Sequence, residues 1–246
     1  MKLCVFCGQA CRRAGEHIIA RVIFERMKVQ KLGVTVGSFH EERGVTTRTT
    51  QRLNTYVTNH VCEGCNHGWM SGLEIWFVES LGNLIEPNRA CFVQEAIALA
   101  YLKTPTLGSW LLKTAITAEQ NSTMKNRVIP HWMRSFPMRE LHLDSLWLDI
   151  GFIHNADVSM RLMKGAPVWN GDEFHAYQEH KDGFSFSLQL NHLLLRILHA
   201  PAAYVRRLSA SEGEAMSSMS PLAPREFNSM DQFNQSLYLR TWEGKR

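Results

Sequence analysis

The chain has 246 residues, 45% of them hydrophobic and 20% charged, a composition typical of a soluble globular protein. No run of about 18 apolar residues occurs and the chain does not start with an apolar signal segment, so we expect no membrane span, no export and a cytoplasmic location. The net charge of +4 lies entirely within residues 1–74, which hold ten Lys or Arg against six Asp or Glu. A solvated surface could carry this charge, but the cysteine motifs in the same segment favour a phosphate-binding face.

Short elements and one long insertion are predicted for the first part of the chain. Residues 3–7 alternate apolar side chains, which predicts a short strand. Residues 20–27 predict a short helix or an extended arm. Residues 28–55 are polar and poorly periodic, which predicts a long inserted loop with a hairpin at 35–47.

Helices are predicted for the middle of the chain, after a strand at 56–61. Apolar side chains recur at spacings of three and four over 69–81, which is typical of an amphipathic helix. A second helix is predicted at 92–103 and would be broken by Pro105, and a third would begin at Ser109.

Large side chains on these helices are expected to pack the N-terminal part onto the rest of the chain. They are Trp69, Trp76, Phe77 and Trp110. Lys113 follows Trp110 by three residues and is expected at the edge of the core with its ammonium group in water. A contact between Lys113 and phosphate is the alternative.

Strand signals dominate the last part of the chain, so the predicted fold class is α+β. The predicted strands share an alternating apolar pattern and span 146–153, 158–163, 184–190 and, unless it forms a buried helix, 193–198. Polar stretches predict surface loops at 119–127 and 209–222 and a tail from residue 225.

Four of the six cysteines form two Cys-x-x-Cys pairs, Cys4 with Cys7 and Cys62 with Cys65. Each pair supplies two thiolates, and the two pairs together complete one structural zinc site. In a reducing compartment such pairs indicate metal rather than disulfides, with two unrelated pairs of buried thiols as the alternative. Cys11 could substitute as a ligand, although its spacing from Cys7 favours a simple thiol.

Three motifs resemble the HNH, or ββα-metal, endonuclease family: Cys4-x-x-Cys7, Glu16-His17-Ile18-Ile19 and Cys62-x-x-Cys65-Asn66. The resemblance covers residues 4–74, and a weaker similarity to bacterial and phage HNH proteins extends to 110–115. It implies a finger of two strands and a helix that is stapled by zinc. The four thiolates would be structural, because a zinc ion with four thiolates has no open position for chemistry.

The resemblance also implies roles for three side chains. His17 would be the general base that takes a proton from the attacking water. Glu16 and Asn66 would hold one divalent cation, most simply Mg²⁺, at the scissile phosphate. Adjacent residues on a strand face opposite sides, so Glu16 and His17 can both serve only if the strand bulges or ends there. Asn66 could instead be a helix cap, or do both.

One ligand position departs from the family pattern. Many members carry a histidine about four residues after the last motif residue, where this chain has Met70. The third ligand of the cation is therefore open between His67, Glu74 and water. The middle Asn of the HNH motif is likewise open between Asn54 and Asn59.

Together these features predict a metal-dependent HNH endonuclease that hydrolyses phosphodiester bonds in DNA, with RNA left open. Residues 1–81 would form the nuclease module, and arginines of its insertion at 28–55 would contact the nucleic-acid backbone. Residues 82–246 would form an α+β accessory domain that supplies target choice or homo-oligomerisation. The alternatives are a zinc-stabilised nucleic-acid-binding module without catalysis and a protein-interaction domain that keeps only the zinc frame.

Overall fold

The structure is a computed structural model that describes residues 2–11, 15–29, 33–40, 44–52, 57–87, 93–121, 129–138, 146–153, 160–165, 184–199 and 222–227. Helices and strands both occur in these ranges, in agreement with the predicted α+β class. The division into two modules at residue 81 stays a prediction.

The Glu16-His17 motif forms a very short strand, and a second short strand and a helix lie next to it. Strand β1 (Glu16–His17) pairs antiparallel with β4 (Val57–Thr58). The strand predicted at 56–61 is therefore present but short, and Tyr56 lies outside the described residues. Helix α1 (Arg21–Met27) confirms the helical alternative for its segment, and it buries three apolar side chains, Ile23, Phe24 and Met27.

The insertion forms a regular hairpin. Strand β2 (Gly33–His40) pairs antiparallel with β3 (Gly44–Arg52), which confirms the predicted hairpin and extends it beyond 35–47. Thr and Val recur along both strands, and branching at Cβ favours extended backbone. The register shifts once, between Ser38 and Phe39.

A helix leads out of the second cysteine pair, as the apolar spacing predicts. Helix α2 (Glu63–Cys65) continues into a wide turn at Asn66–Met70 and then into α3 (Ser71–Leu81). In the wide turn the N–H of Ser71 reaches the carbonyl of Asn66, five residues earlier. A 3₁₀ turn at Gly82–Ile85 follows.

Helix α4 (Val93–Asn121) is one helix of 29 residues, so the predicted break at Pro105 is wrong. Proline removes a helical hydrogen bond and usually bends or ends a helix. Here residues 107–118 are all buried, and this packing offsets the local cost. Glu119 is also buried within the helix, so the surface loop predicted at 119–127 is wrong at its start. Gln120 and Asn121 complete α4, and residues 122–127 lie outside the described residues.

Five strands follow in the C-terminal half: β5 (Leu146–Ile153), β6 (Met160–Gly165), β7 (Phe184–Leu190), β8 (Leu193–His199) and β9 (Leu222–Phe227). They form one sheet in the order β6-β7-β8-β5-β9. Neighbouring strands are antiparallel except β5 and β9, which are parallel. The bounds predicted for β5 and β7 are confirmed, and 193–198 is strand rather than helix. The tail predicted from residue 225 begins inside β9, so that boundary is wrong.

The turn between β7 and β8 docks the sheet onto the N-terminal part. Asn191 has a φ of 48°, a left-handed conformation that asparagine tolerates better than most residues. Its side-chain amide donates to the carbonyl of Ile85 at 2.6 Å and to that of Met27 at 3.4 Å. A ring nitrogen of His192 lies 3.2 Å from the carbonyl of Pro87. These contacts fix the ends of α1 and of the 3₁₀ turn against the sheet.

Aromatic packing joins α3 to α4. Phe77 and Trp110 are fully buried and stack with their ring centroids 3.8 Å apart, as expected for core residues. Trp69 and Trp76 are only half-buried. Within the described ranges, none of the helices combines the length and the apolar character needed to cross a membrane.

Candidate metal centre and adjoining polar cluster

The first cysteine pair lies in a tight loop. The N–H of Cys4 donates to the carbonyl of Gln9 at 2.7 Å, and the N–H of Gly8 donates to the carbonyl of Cys4 at 3.0 Å. Gly8 has a φ of +75°, which glycine adopts without steric cost. The strand predicted for 3–7 is therefore wrong, because the backbone turns around the thiols and leaves only an isolated bridge.

The second cysteine pair opens α2. Cys62 precedes the helix, and its Sγ accepts a hydrogen bond from the N–H of Cys65 at 3.4 Å. The sulfur thus caps the helix in the way that a serine or aspartate oxygen usually does. The N–H of Val5 donates to the carbonyl of His60 at 2.8 Å, so the backbone also joins the two pairs.

The four thiols that the sequence predicts as zinc ligands come together. The sulfur atoms of Cys4, Cys7, Cys62 and Cys65 all lie within 4.8 Å of one another. Those of Cys7 and Cys62 are 3.5 Å apart, too far for a disulfide bond of about 2.05 Å. A tetrahedral zinc site with bonds of about 2.3 Å places its sulfurs about 3.8 Å apart. The cluster therefore fits a metal ion such as zinc.

Backbone hydrogen bonds oppose the effect of burial on Cys4. Burial alone would raise the pKa of Cys4, but hydrogen bonds from the backbone of Cys7, Cys62 and Phe6 lower it to about 7. Burial raises the pKa of Cys65, and the indole of Trp69 opposes this effect. Cys11 lies beside the cluster, where burial and then the charge of Cys4 raise its pKa. Cys11 is not one of the four clustered thiols.

Glu16 and Asn66 meet next to this centre, although they are far apart in the chain. β1 carries Glu16 and the wide turn after Cys65 carries Asn66, and the Asn66 side chain lies close enough to the Glu16 carboxyl to lower its pKa. Burial raises the pKa of the Glu16 carboxyl to about 6. The helix begins at Glu63, so Asn66 is not its N-cap and the capping alternative is wrong.

His17 occupies the other position of β1 and is half-buried. None of the described residues forms a hydrogen bond with its buried Nδ1. Burial, and then the Arg21 guanidinium, lowers the pKa of His17 and so favours the neutral imidazole. β1 ends at this residue, which is one of the two conditions under which Glu16 and His17 can serve together.

Both carboxylate oxygens of Glu74 are engaged by α4. The indole N–H of Trp110 donates to Oε2 at 3.0 Å, and the ammonium group of Lys113 donates to Oε1. Lys113 is completely buried, so its predicted place at the core edge is wrong. Each Glu74 oxygen thus accepts one hydrogen bond from α4, and the role of Glu74 as a third metal ligand stays a prediction. Tertiary packing decides these contacts, because α3 lays Glu74 against the buried face of α4.

The other candidate ligand, His67, lies close enough to Glu16 to lower the pKa of its carboxyl, and the position at which the family pattern has a ligand holds Met70. Met70 is fully buried, and Gly68, with φ −90° and ψ −118°, breaks the helix between it and Asn66. A spacing of four counted on a regular helix therefore does not apply in this wide turn. His67 is exposed, with Nδ1 3.8 Å from a carboxylate oxygen of Glu63. Asn59 is exposed, and Asn54 lies outside the described residues.

Sequence reasoning missed the polar cluster formed by Glu74, Trp110 and Lys113 beside Glu16. Lys113 and Glu74 both act on the Glu16 carboxyl, and the ammonium group opposes the rise in pKa that burial causes. One signal was available: Lys113 interrupts an apolar run on α4. A lysine inside a buried face needs a counter-ion, which would have pointed to a carboxylate on the facing helix.

Comparison of the chain with protein-family models, with curated proteins and with solved structures finds no match. The resemblance to HNH endonucleases therefore depends on the two Cys-x-x-Cys motifs, the Glu-His motif and the Asn that follows Cys65. The structure adds that the residues of those motifs meet in space and that their four thiols fit a metal ion.

Proposed function

We propose that the protein is a metal-dependent endonuclease of the HNH, or ββα-metal, type that hydrolyses phosphodiester bonds in DNA. One observation carries the proposal: four thiols from two separate motifs come together in a cluster that fits zinc, and Glu16 and Asn66 lie close to each other beside it. β1, β4 and the helix that follows Cys65 would be the two strands and the helix of the finger. Zinc would be structural and would hold the motifs together.

The Glu16 and Asn66 side chains fit a hard divalent cation such as Mg²⁺. Carboxylate and carboxamide oxygens are the ligands that such an ion prefers. The cluster of Glu16, Glu74 and Lys113 holds two carboxylates and one ammonium group, so ionised Glu16 leaves one negative charge uncompensated. When bound, the cation would polarise the scissile phosphate and stabilise the leaving oxygen.

His17 would act as the general base. A base must be neutral to accept a proton, and the burial of His17 and the nearby Arg21 guanidinium both favour the neutral imidazole. No described residue forms a hydrogen bond with the buried Nδ1 of His17. Glu16 and Asn66 would hold the cation while His17 takes the proton of the attacking water.

The hairpin would contact the nucleic-acid backbone. Arg48 and Arg52 pair with Gly37 and Gly33 of the other strand. They are four residues apart on one strand, and successive residues alternate between faces, so both belong to one face of the two-stranded ribbon. The excess positive charge of residues 1–74 supports the same partner. Phosphate contacts of this kind give affinity that falls as salt rises.

The proposed activity is tested with the zinc-loaded protein on supercoiled plasmid and on a single-stranded RNA. We expect plasmid nicking or linearisation when Mg²⁺, Mn²⁺ or Ni²⁺ is added. No cleavage is expected in buffer to which no divalent cation is added. Gel electrophoresis reads out each combination of metal and substrate. Cleavage of RNA alone would reassign the substrate, and a protein inert on both with every metal would leave only a non-catalytic module.

Replacing both Arg48 and Arg52 with alanine is expected to weaken DNA binding. The magnitude of the slope of log binding constant against log salt concentration should fall by about 1.8, because each phosphate that an arginine no longer neutralises removes about 0.9. Fluorescence anisotropy at several salt concentrations measures this slope. Thr49→Ala/Gln51→Ala changes the other face of the same strand and is the matched control. Equal slopes for the arginine variant and wild type would remove the hairpin from the interface.

A further inference from the structure

The buried ion pair between Lys113 and Glu74 is the part of the polar cluster that the proposed chemistry does not use. Lys113 is fully buried, and the Glu74 side chain is 10% exposed. Burying an ion pair takes two charges out of water, and well-packed apolar side chains often stabilise a helix interface equally well. Packing α3 on α4 therefore does not by itself require this pair, since Phe77 and Trp110 already stack there.

The geometry of Glu74 ties it to α4. The indole N–H of Trp110 donates to Oε2 at 3.0 Å and the Lys113 ammonium group donates to Oε1, so α4 fixes the orientation of this carboxylate. Two side chains of one helix thus hold a carboxylate that would otherwise be a natural cation ligand. Removing the ammonium group would release Oε1 and leave Glu74 with an uncompensated charge.

The pair also lies near Glu16, because α4 packs against β4 and β4 pairs with β1 through Thr58 and Glu16. The ammonium of Lys113 and the carboxylate of Glu74 influence the Glu16 carboxyl with opposite signs. In a buried site such charges are weakly screened. The three groups together carry one net negative charge when Glu16 is ionised. Without Lys113 that charge would be two, and without Glu74 it would be zero.

We infer that Lys113 and Glu74 are positioning residues that set the charge, and hence the affinity for a divalent cation, of the site formed by Glu16 and Asn66. The inference rests on the cation site of the proposed function. Lys113 neutralises Glu74 and withholds it from the cation, so that two protein ligands and a moderate negative charge hold the ion. One net negative charge would neutralise only part of the charge of a bound divalent cation, so the cation would still attract a phosphate.

The test measures Mn²⁺ affinity by electron paramagnetic resonance on the full-length, zinc-loaded protein. Lys113→Met should bind Mn²⁺ more tightly than wild type and Glu74→Gln more weakly, each on the order of tenfold. The double variant Glu74→Gln/Lys113→Met restores the net charge and should lie within about threefold of wild type. It also replaces the ion pair with neutral side chains of similar size, so it is expected to fold even if one single variant does not.

Glu119→Gln is the matched control, because it removes another buried carboxylate of α4 six residues beyond Lys113. It should leave the Mn²⁺ affinity unchanged. A merely structural pair would weaken Mn²⁺ binding in both single variants, and that result would overturn the inference, as would a double variant that binds much more weakly than wild type. Opposite shifts in a protein that cleaves no DNA would uphold the inference and reject the nuclease. A wild type that binds no Mn²⁺ would reject both.

Discussion

Replacing Cys62 with serine is expected to remove the metal and to unfold the N-terminal segment. Serine is itself a good helix cap, so the hydrogen bond from the N–H of Cys65 can be kept while one of the four thiolates is removed. Structural zinc contributes about 10–16 kcal/mol to the folding of small zinc modules, so removal of a ligand outweighs any other single change proposed for this chain. Elemental analysis of zinc per chain and thermal unfolding measure the two effects.

Cys11→Ser is the control for this experiment. Cys11 lies beside the cluster but is not one of the four clustered thiols, so its replacement should leave zinc content and thermal stability near those of wild type. Zinc retained in full by Cys62→Ser, or missing from Cys11→Ser, would show that the ligand set is wrong.

Replacing His17 with alanine is expected to lower the rate of DNA cleavage by about 10²- to 10⁴-fold, the usual contribution of a general base. That decrease corresponds to about 2.7–5.5 kcal/mol of transition-state stabilisation. Zinc content and DNA affinity should remain, because His17 is half-buried on a strand and is not one of the clustered thiols. Single-turnover cleavage rates, anisotropy and zinc analysis separate the three properties.

His131→Ala supplies the comparison, since His131 is an exposed histidine on the 3₁₀ segment His131–Met138. It should cleave at the wild-type rate. Added imidazole should partly restore cleavage by His17→Ala, as a base can act from solution in the vacated space. An alanine variant that cleaves as fast as wild type would remove His17 from the chemistry.

The cluster of four thiols was predictable because its signal is local. A Cys-x-x-Cys pair presents two thiols whatever surrounds it, and the turn at Gly8 and the cap at Cys62 are built within a few residues of each pair. The bounds of β5 and β7 were predictable for a similar reason, since alternation of apolar side chains is a property of the strand itself.

Lys113 in an apolar run signals a buried counter-ion, but the identity of that counter-ion was not predictable, because it depends on which helix faces meet. Pro105 indicated a break in α4, but the buried residues after it hold the helix together. The predicted position of Lys113 at the core edge is wrong, because the facing α3 supplies Glu74 as a counter-ion. The wide turn at Asn66–Met70 also has no clear sequence signal, and it displaces the ligand position expected at Met70. Each of these outcomes is decided by tertiary contacts.

Every proposed site residue depends on four thiolates closing around one metal ion, so zinc K-edge X-ray absorption of the purified protein is the most direct test. We predict one zinc per chain with four sulfur neighbours at about 2.3 Å. Fewer than four sulfurs, or nitrogen and oxygen neighbours in their place, would contradict it. In that case Asn66 would no longer be held beside Glu16 by the metal centre.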